Sequence, residues 1–401
     1  MKENDLSTQL IWKYLFSDRI EKVHKSFIRE ILKVTENPKI ISFAGGLPNP
    51  TFFPINEISN AASKVLENDG ENVLQYSTTE GYYPLREYIA KRYLKKRLKI
   101  DPDDILITNG SQQGLDLLGK IFINNGDKII IEKPGYLGAI QAFSMYEPIF
   151  YPIPLTGEGM DTSLLENTLK NNRIKLIYSV INFQNPSGIT YSKKIRTEIG
   201  NILKDNDTIF IEDDAYGELR FIGKDIPSMK YYNDNVIMLG SFSKITSPGL
   251  RLGWICAKKE VMNKLIVAKQ ASDLHSNYFS QRILYQYLID NNIDIHIEIM
   301  KNIYKKQRDL MVSMIEEYFP KDIEYTKPEG GMFLWITLPK RISSRYLFDC
   351  AIEENVAFVP GDPFYTDGEG KNTLRLNFSN SDEEKIQKGI KILGNILKKI
   401  E

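Results

Sequence analysis

A three-layer α/β/α domain built on a mostly parallel sheet, followed by a smaller α+β unit, is the fold this sequence predicts. Three observations lead there. From Ile105 onward, short and nearly continuous apolar runs alternate with helix-period segments, the pattern of a parallel sheet covered on both faces. Polar residues gather where those runs end, and such sheets bind ligands outside the carboxyl ends of their strands. After about residue 290 the rhythm changes to mixed strands and helices, which marks a second unit. We therefore expect an N-terminal arm over 1–40 that contributes to the small domain and the site, a large ligand-binding domain over 41–290, and a small domain over 291–401.

Composition sets the outer bounds. The 401 residues are 42% hydrophobic and 26% charged, an ordinary globular balance long enough for more than one domain. Fifty-two basic residues match fifty-two acidic ones, so no overall attraction to nucleic acid or membrane is expected. Cys256 and Cys350 are too few for a disulfide framework, which suggests reduced thiols and a cytoplasmic protein. The start leads into no apolar run that would read as a signal peptide. No segment approaches a membrane span, and His24, His275 and His296 lack metal-ligand spacing.

Along the chain, Ile28, Ile31 and Leu32 suit a short helix that includes Arg29. A short strand at 40–43 then breaks into Ala44-Gly45-Gly46-Leu47-Pro48-Asn49-Pro50, where paired glycines fit either a close backbone approach or a tight turn. Residues 55–69 and 84–99 read as helices, separated by a polar loop that carries Tyr76. Strands are expected at 105–108, 128–132, 149–155, 175–183, 208–212, 236–239 and 252–257. Helical patterns follow at 259–289 and 293–318. The second unit holds strands at 333–338, 357–359 and 374–378 and a final amphipathic helix.

The stretch from Ser241 to Arg251 follows a buried strand and presents two hydroxyls, a lysine, a Pro-Gly turn and an arginine. A lone loop lysine is ordinarily a solvated charge. Here Ser241, Ser243 and Arg251 offer the hydroxyl donors and forked cation that hold a phosphate, with Lys244 beside it. An amine next to a phosphorylated carbonyl compound suggests a Schiff base to pyridoxal phosphate. The other strand ends meet that cofactor's remaining demands. Ser111 and Gln112, at a helix start, offer N–H groups and side chains to the phosphate, although Ser111 also fits a plain helix cap. Asp213 suits the ring nitrogen, Asn185 and Tyr216 the 3′-oxygen, and Tyr136 the ring face. Bringing Lys244 from a pKa of ~10.4 to near 7, as a proton shuttle requires, costs about 4 to 5 kcal/mol, and burial near Arg251 acts in that direction.

Ser241-Phe242-Ser243-Lys244 with Pro248-Gly249-Leu250-Arg251-Leu252-Gly253-Trp254 resembles the fold-type I, class I/II aminotransferases. Asn185-Pro186-Ser187-Gly188 and Glu212-Asp213-Asp214-Ala215-Tyr216 belong to the same pattern. Phe43 to Pro50 and Gly110-Ser111-Gln112-Gln113 are similar to the 2-aminoadipate/kynurenine aminotransferase group. The resemblance runs from about Ile28 to the C-terminus. It implies a pyridoxal-phosphate-dependent transferase fold and transfer of an amino group from an L-amino acid to a 2-oxo acid such as 2-oxoglutarate, in two half-reactions through an aldimine on Lys244. It further implies that Arg375 clamps the substrate α-carboxylate and that Arg29 and Gly46 border the side-chain pocket. Tyr76 would reach the phosphate of a neighbouring subunit, which makes a homodimer with shared sites the expected assembly. A lyase or decarboxylase would use the same cofactor linkage. A ligand-sensing regulator would need an added DNA-binding domain, and only about 27 residues precede the match.

Overall fold

The computed structural model describes residues 14–21, 23, 31 and 37–400. Of the helix expected near residue 28, only Ile31 is described; it packs with Ala44 and Trp335. Strand β1 spans Ile41–Ser42. The large sheet follows with β2 (Ile105–Thr108), β3 (Lys128–Lys133), β4 (Ile149–Thr156), β5 (Gly159–Met160) and β6 (Ile174–Ser179), then β7 (Ile209–Asp214), β8 (Ile237–Ser241) and β9 (Gly253–Cys256). Their order is β2-β9-β8-β7-β6-β3-β4-β5. Strands β8, β7, β6, β3 and β4 are parallel neighbours, whereas β9 runs antiparallel to both β8 and β2.

The apolar runs are what make these strands central. Ile129, Ile130, Ile131, Leu176, Ile177, Ile211 and Leu239 are all fully enclosed by helices on the two faces. The one reversed strand matters for the site. Because β9 starts where its neighbours end, Arg251, two residues before Gly253, arrives at the same sheet edge as Asp213 and Lys244.

The C-terminal unit contains β10 (Glu324–Tyr325), β11 (Phe333–Thr337), β12 (Val356–Ala357), β13 (Val359–Pro360) and β14 (Thr373–Asn377). Four of them form an antiparallel sheet in the order β10-β11-β14-β13, and β12 pairs in parallel with β1. The chain at 41–47 is therefore tied to this unit, an attachment completed by the Asn377 N–H bonded to the Phe43 carbonyl at 2.8 Å.

Three expected elements differ. The strand at 357–359 is two short strands, because the chain changes partner from β1 to β14 around Phe358. The long strand at 175–183 stops at Ser179. Beyond it the Val180 N–H turns to the Glu132 carboxylate at 3.0 Å, and Phe183 adopts φ 50°. The helical pattern at 259–289 is two helices, Lys259–Gln270 and Tyr278–Asp290. They are parted by Leu274 at φ 66° and by Asn277, whose side chain accepts the Ser280 N–H at 2.8 Å as an N-cap.

Helix Gly110–Phe122 packs on β8 and β9, and the contact is backbone to backbone at Gly253. A Cβ there would stand 2.6 Å from the Ser111 nitrogen and 2.8 Å from the Gly240 carbonyl oxygen. Neither can move without shifting an element, so Gly253→Ala is expected to lower unfolding stability by about 1–3 kcal/mol, read from its urea midpoint.

Candidate active site

The shared strand edge opens on a cavity of about 410 Å³. Twelve of the residues singled out in the sequence line it: Gly46, Ser111, Gln112, Tyr136, Asn185, Asp213, Tyr216, Ser241, Ser243, Lys244, Arg251 and Arg375. Two do not. Tyr76 is 79% exposed on the surface, its ring edge-on to His275 at 5.9 Å. Arg29 lies outside the described residues.

One corner gathers donors. Ser111 and Gln112 occupy the first turn of helix Gly110–Phe122, and Asn109 makes no side-chain cap to it, so early N–H groups stay free for an anion. Gly110 has φ +71°, and a Cβ on it would come within 2.8 Å of Arg251 Nη2. Arg251 itself is left-handed at φ 55° and reaches towards the Asn109 carbonyl at 3.4 Å. Ser241 and Ser243 close the corner, the Ser243 N–H bonding the Ser241 hydroxyl at 3.1 Å. The Gln112 side chain is engaged elsewhere, donating to the Gly138 carbonyl at 2.8 Å. Of the N–H group and side chain that the sequence offers at Gln112, the backbone N–H is the one left without a partner by the helix start.

At the floor, Asp213 is buried at the end of β7. Its Oδ2 accepts the Tyr178 hydroxyl at 2.8 Å, and its Oδ1 has no hydrogen-bond partner. Burial pushes this carboxyl up to about 7, opposed by the Tyr178 bond and reinforced by Asp214. An orphaned buried carboxylate oxygen facing a cavity calls for a donor from a ligand, and a protonated ring nitrogen would supply it.

The opposite wall carries cations. Lys244 donates to the Gly46 carbonyl at 2.8 Å and lies 6.0 Å from the centre of the Tyr216 ring. Burial, with Arg375 and Arg251 adding to it, pulls this amine down to about 8. Arg375 is brought in by β14. Its Nη1 donates to Asn185 Oδ1 and its Nη2 to the Ala44 carbonyl, both at 2.7 Å, while Nε has no partner. The guanidinium lies 4.3 Å from the ring centre of Phe333 and 5.4 Å from that of Phe364. Asn185 Nδ2 also approaches the Tyr216 hydroxyl at 3.4 Å, and Tyr136 is pushed up to about 12 by burial.

Among the residues at this site that sequence reading missed are Tyr178 and Phe364. Tyr178 was visible only as part of a strand, although its alternation in β6 places it on the Asp213 side. Phe364 comes from a short turn in the C-terminal unit whose approach to the cavity no local pattern announces.

A cavity with an anion corner, an orphaned carboxylate and a buried amine on a type I transferase fold defines an enzyme that works through a phosphorylated carbonyl cofactor. The family model described as aminotransferase class I and II matches residues 42–393. The chain is 42% identical to aromatic-amino-acid aminotransferase 1 of Thermococcus litoralis, over 99% of this chain and 97% of that one. It superposes on the solved structure of LysN, the alpha-aminoadipate aminotransferase of Thermus thermophilus, with a TM-score of 0.91 and 40% identity, covering 97% and 98% of the two chains. Against the Pyrococcus horikoshii kynurenine aminotransferase the TM-score is 0.92 at 43% identity, covering 96% and 98%. This chain belongs to the class I and II aminotransferases.

Because the native protein releases the Lys244 proton before the unfolded chain does, this site's contribution to stability rises between about pH 8 and 10.5. Labelling of Lys244 by an amine-selective reagent in cofactor-free protein should show a midpoint near pH 8. Arg375→Ala removes a repelling charge and should move that midpoint upward. It should stay below that of surface lysines, since burial remains.

Proposed function

We infer that this aminotransferase works with pyridoxal phosphate and moves the amino group of an L-amino acid to a 2-oxo acid, 2-oxoglutarate being the expected acceptor. The observation that carries the reading is the pairing, across one cavity, of a buried amine drawn down to about 8 with a buried carboxylate oxygen that lacks a donor. The Thermus relative was solved with N-(5'-phosphopyridoxyl)-L-leucine and the Pyrococcus one with PMP, which supports the same cofactor class here.

The residues divide the work. N–H groups of Ser111 and Gln112, with Ser241, Ser243 and Arg251, would hold the phosphate. Asp213 would accept the ring N–H, and pairing with that cation draws its carboxyl back to the ionised form. Tyr136 would cover the ring face, while Asn185 and Tyr216 would hold the 3′-oxygen. When bound, the cofactor supplies an aldehyde that links amines and a protonated ring that takes up electron density. Lys244 would be the base that removes and returns the proton at the substrate Cα. A value near 8 leaves a useful fraction of the amine unprotonated at neutral pH.

Arg375 would bind the α-carboxylate of each substrate in turn. Its free Nε adds a donor to a guanidinium already oriented by Asn185 and Ala44, so a planar carboxylate meets a fork that needs no search for its geometry. Gly46 and Arg29 would border the side-chain pocket. The names of the relatives favour aromatic or 2-aminoadipate-like donors, two side-chain classes that together imply a broad range. Residues 41–290 and 291–401 serve as the large and small domains, with β1 attached to the latter. In the homodimer, the exposed Tyr76 would complete the partner's phosphate site.

Lys244→Ala should abolish both the visible absorbance of bound cofactor and amino transfer to 2-oxoglutarate; retained turnover would remove Lys244 from this role. For Arg375→Ala, the KM of amino and oxo acids alike should rise roughly tenfold or more, because a charge-assisted bond is worth about 1.5–3 kcal/mol. A KM unchanged for both substrates would rule out the clamp.

A further inference from the structure

The break between helices Lys259–Gln270 and Tyr278–Asp290 holds a polar cluster that the chemistry above does not use. Lys269, in the last turn of the first helix, is fully buried. Its ammonium donates to Gln113 Oε1 at 3.0 Å, to Asp273 Oδ1 at 2.9 Å and to Ser276 Oγ at 3.0 Å, three acceptors for three N–H bonds. The Ser276 hydroxyl in turn donates to the Ile107 carbonyl of β2 at 3.2 Å. Asp273 Oδ2 accepts from Asn109 Nδ2 and from Gln113 Nε2, both at 2.7 Å. Gln113 Oε1 also accepts the Asn109 backbone N–H at 2.8 Å.

Asn109 and Gln113 bracket Gly110-Ser111-Gln112. Both ends of the anion-binding turn are therefore clamped by side chains that converge on one buried ammonium. Burying a lysine is costly unless its charge is compensated, and an apolar residue would join the two helices without that cost. Burial does pull Lys269 below its ordinary value, against Asp273, which holds it up. What an apolar residue could not do is order Asp273 and Gln113 so that together they fix Asn109.

We propose that Lys269 is a positioning residue for the phosphate site: through Asp273 and Gln113 it fixes the Asn109–Gln113 turn, so that the Ser111 and Gln112 N–H groups converge with Arg251 before the phosphate arrives. The proposal rests on the reading of residues 110–112 as part of a phosphate cradle. Lys269 itself touches neither cofactor nor substrate.

Pyridoxal phosphate and pyridoxal share the ring and aldehyde and differ by the phosphate. The dissociation constant of pyridoxal divided by that of pyridoxal phosphate, measured on the cofactor-stripped protein, therefore reads the phosphate site alone. Lys269→Met should shrink that ratio roughly ten- to hundredfold, as loss of an outer support does, by weakening pyridoxal phosphate while pyridoxal binding holds. Gln113→Leu cuts the cluster beside the turn and leaves the Lys269–Asp273 pair intact. It should shift the ratio the same way, and it carries the test if Lys269→Met does not fold by circular dichroism. Arg251→Met separates the two levels. If it leaves the ratio unchanged, the phosphate reading fails. If it collapses the ratio while folded Lys269→Met or Gln113→Leu keeps the wild-type value, or weakens both ligands equally, the positioning role is overturned.

Discussion

Two cations buried in one cavity, with no carboxylate paired to either among the described residues, set the terms for this molecule. Removing Lys244 and Arg375 from water carries a desolvation cost that mutual repulsion increases. The fold answers with backbone carbonyls. Gly46 accepts from Lys244 and Ala44 accepts from Arg375, so one short loop after β1 compensates both. That loop is held in turn by β12 and by Asn377 in β14, the strand that carries Arg375. The C-terminal unit thus supplies one cation and anchors the carbonyls that make both tolerable. What compensation remains incomplete appears as a Lys244 value near 8 and an Arg375 value drawn down to about 10. The first is useful chemically, because an amine must lose its proton to act as a base.

The same logic runs in reverse at Asp213. An isolated carboxylate in this position favours its neutral form, and only one of its oxygens has a partner. A bound ring cation resolves the conflict on both sides, since each charge becomes the other's counterion. Affinity and chemistry then draw on one arrangement. The charges left unsatisfied by the protein are those that a cofactor of this class satisfies.

Much of this was legible in the sequence because strand ends are legible. An apolar run that stops in polar residues locates Asn185, Asp213 and Lys244 on one edge without any knowledge of packing. Direction was not legible: the run at 252–257 carries no mark that β9 is reversed, although that reversal delivers Arg251. By its local pattern alone, Arg375 in 373–378 reads as an edge-strand charge. In the fold it lies on β14, a strand paired on both sides, and is 2% exposed. Lys269 sits in a helical pattern where lysine ordinarily faces solvent, and only the packing of Ser276 and Gln113 around it shows otherwise. The helix break at 271–277 did leave a trace, since Ser276-Asn277 before Tyr278 is an N-cap signal that the long apolar period masked.

The reversal of β9 has one more effect. Strands β8 and β9 are paired neighbours, Ser241 opposite Gly253, so residues 242–252 form a loop whose two ends are already joined by the sheet. The entropy of closing such a loop is lost when the sheet forms, not when a ligand binds. Lys244 and Arg251 are therefore held near each other by chain connectivity, and little ordering of this loop is left to oppose the capture of a small anionic molecule.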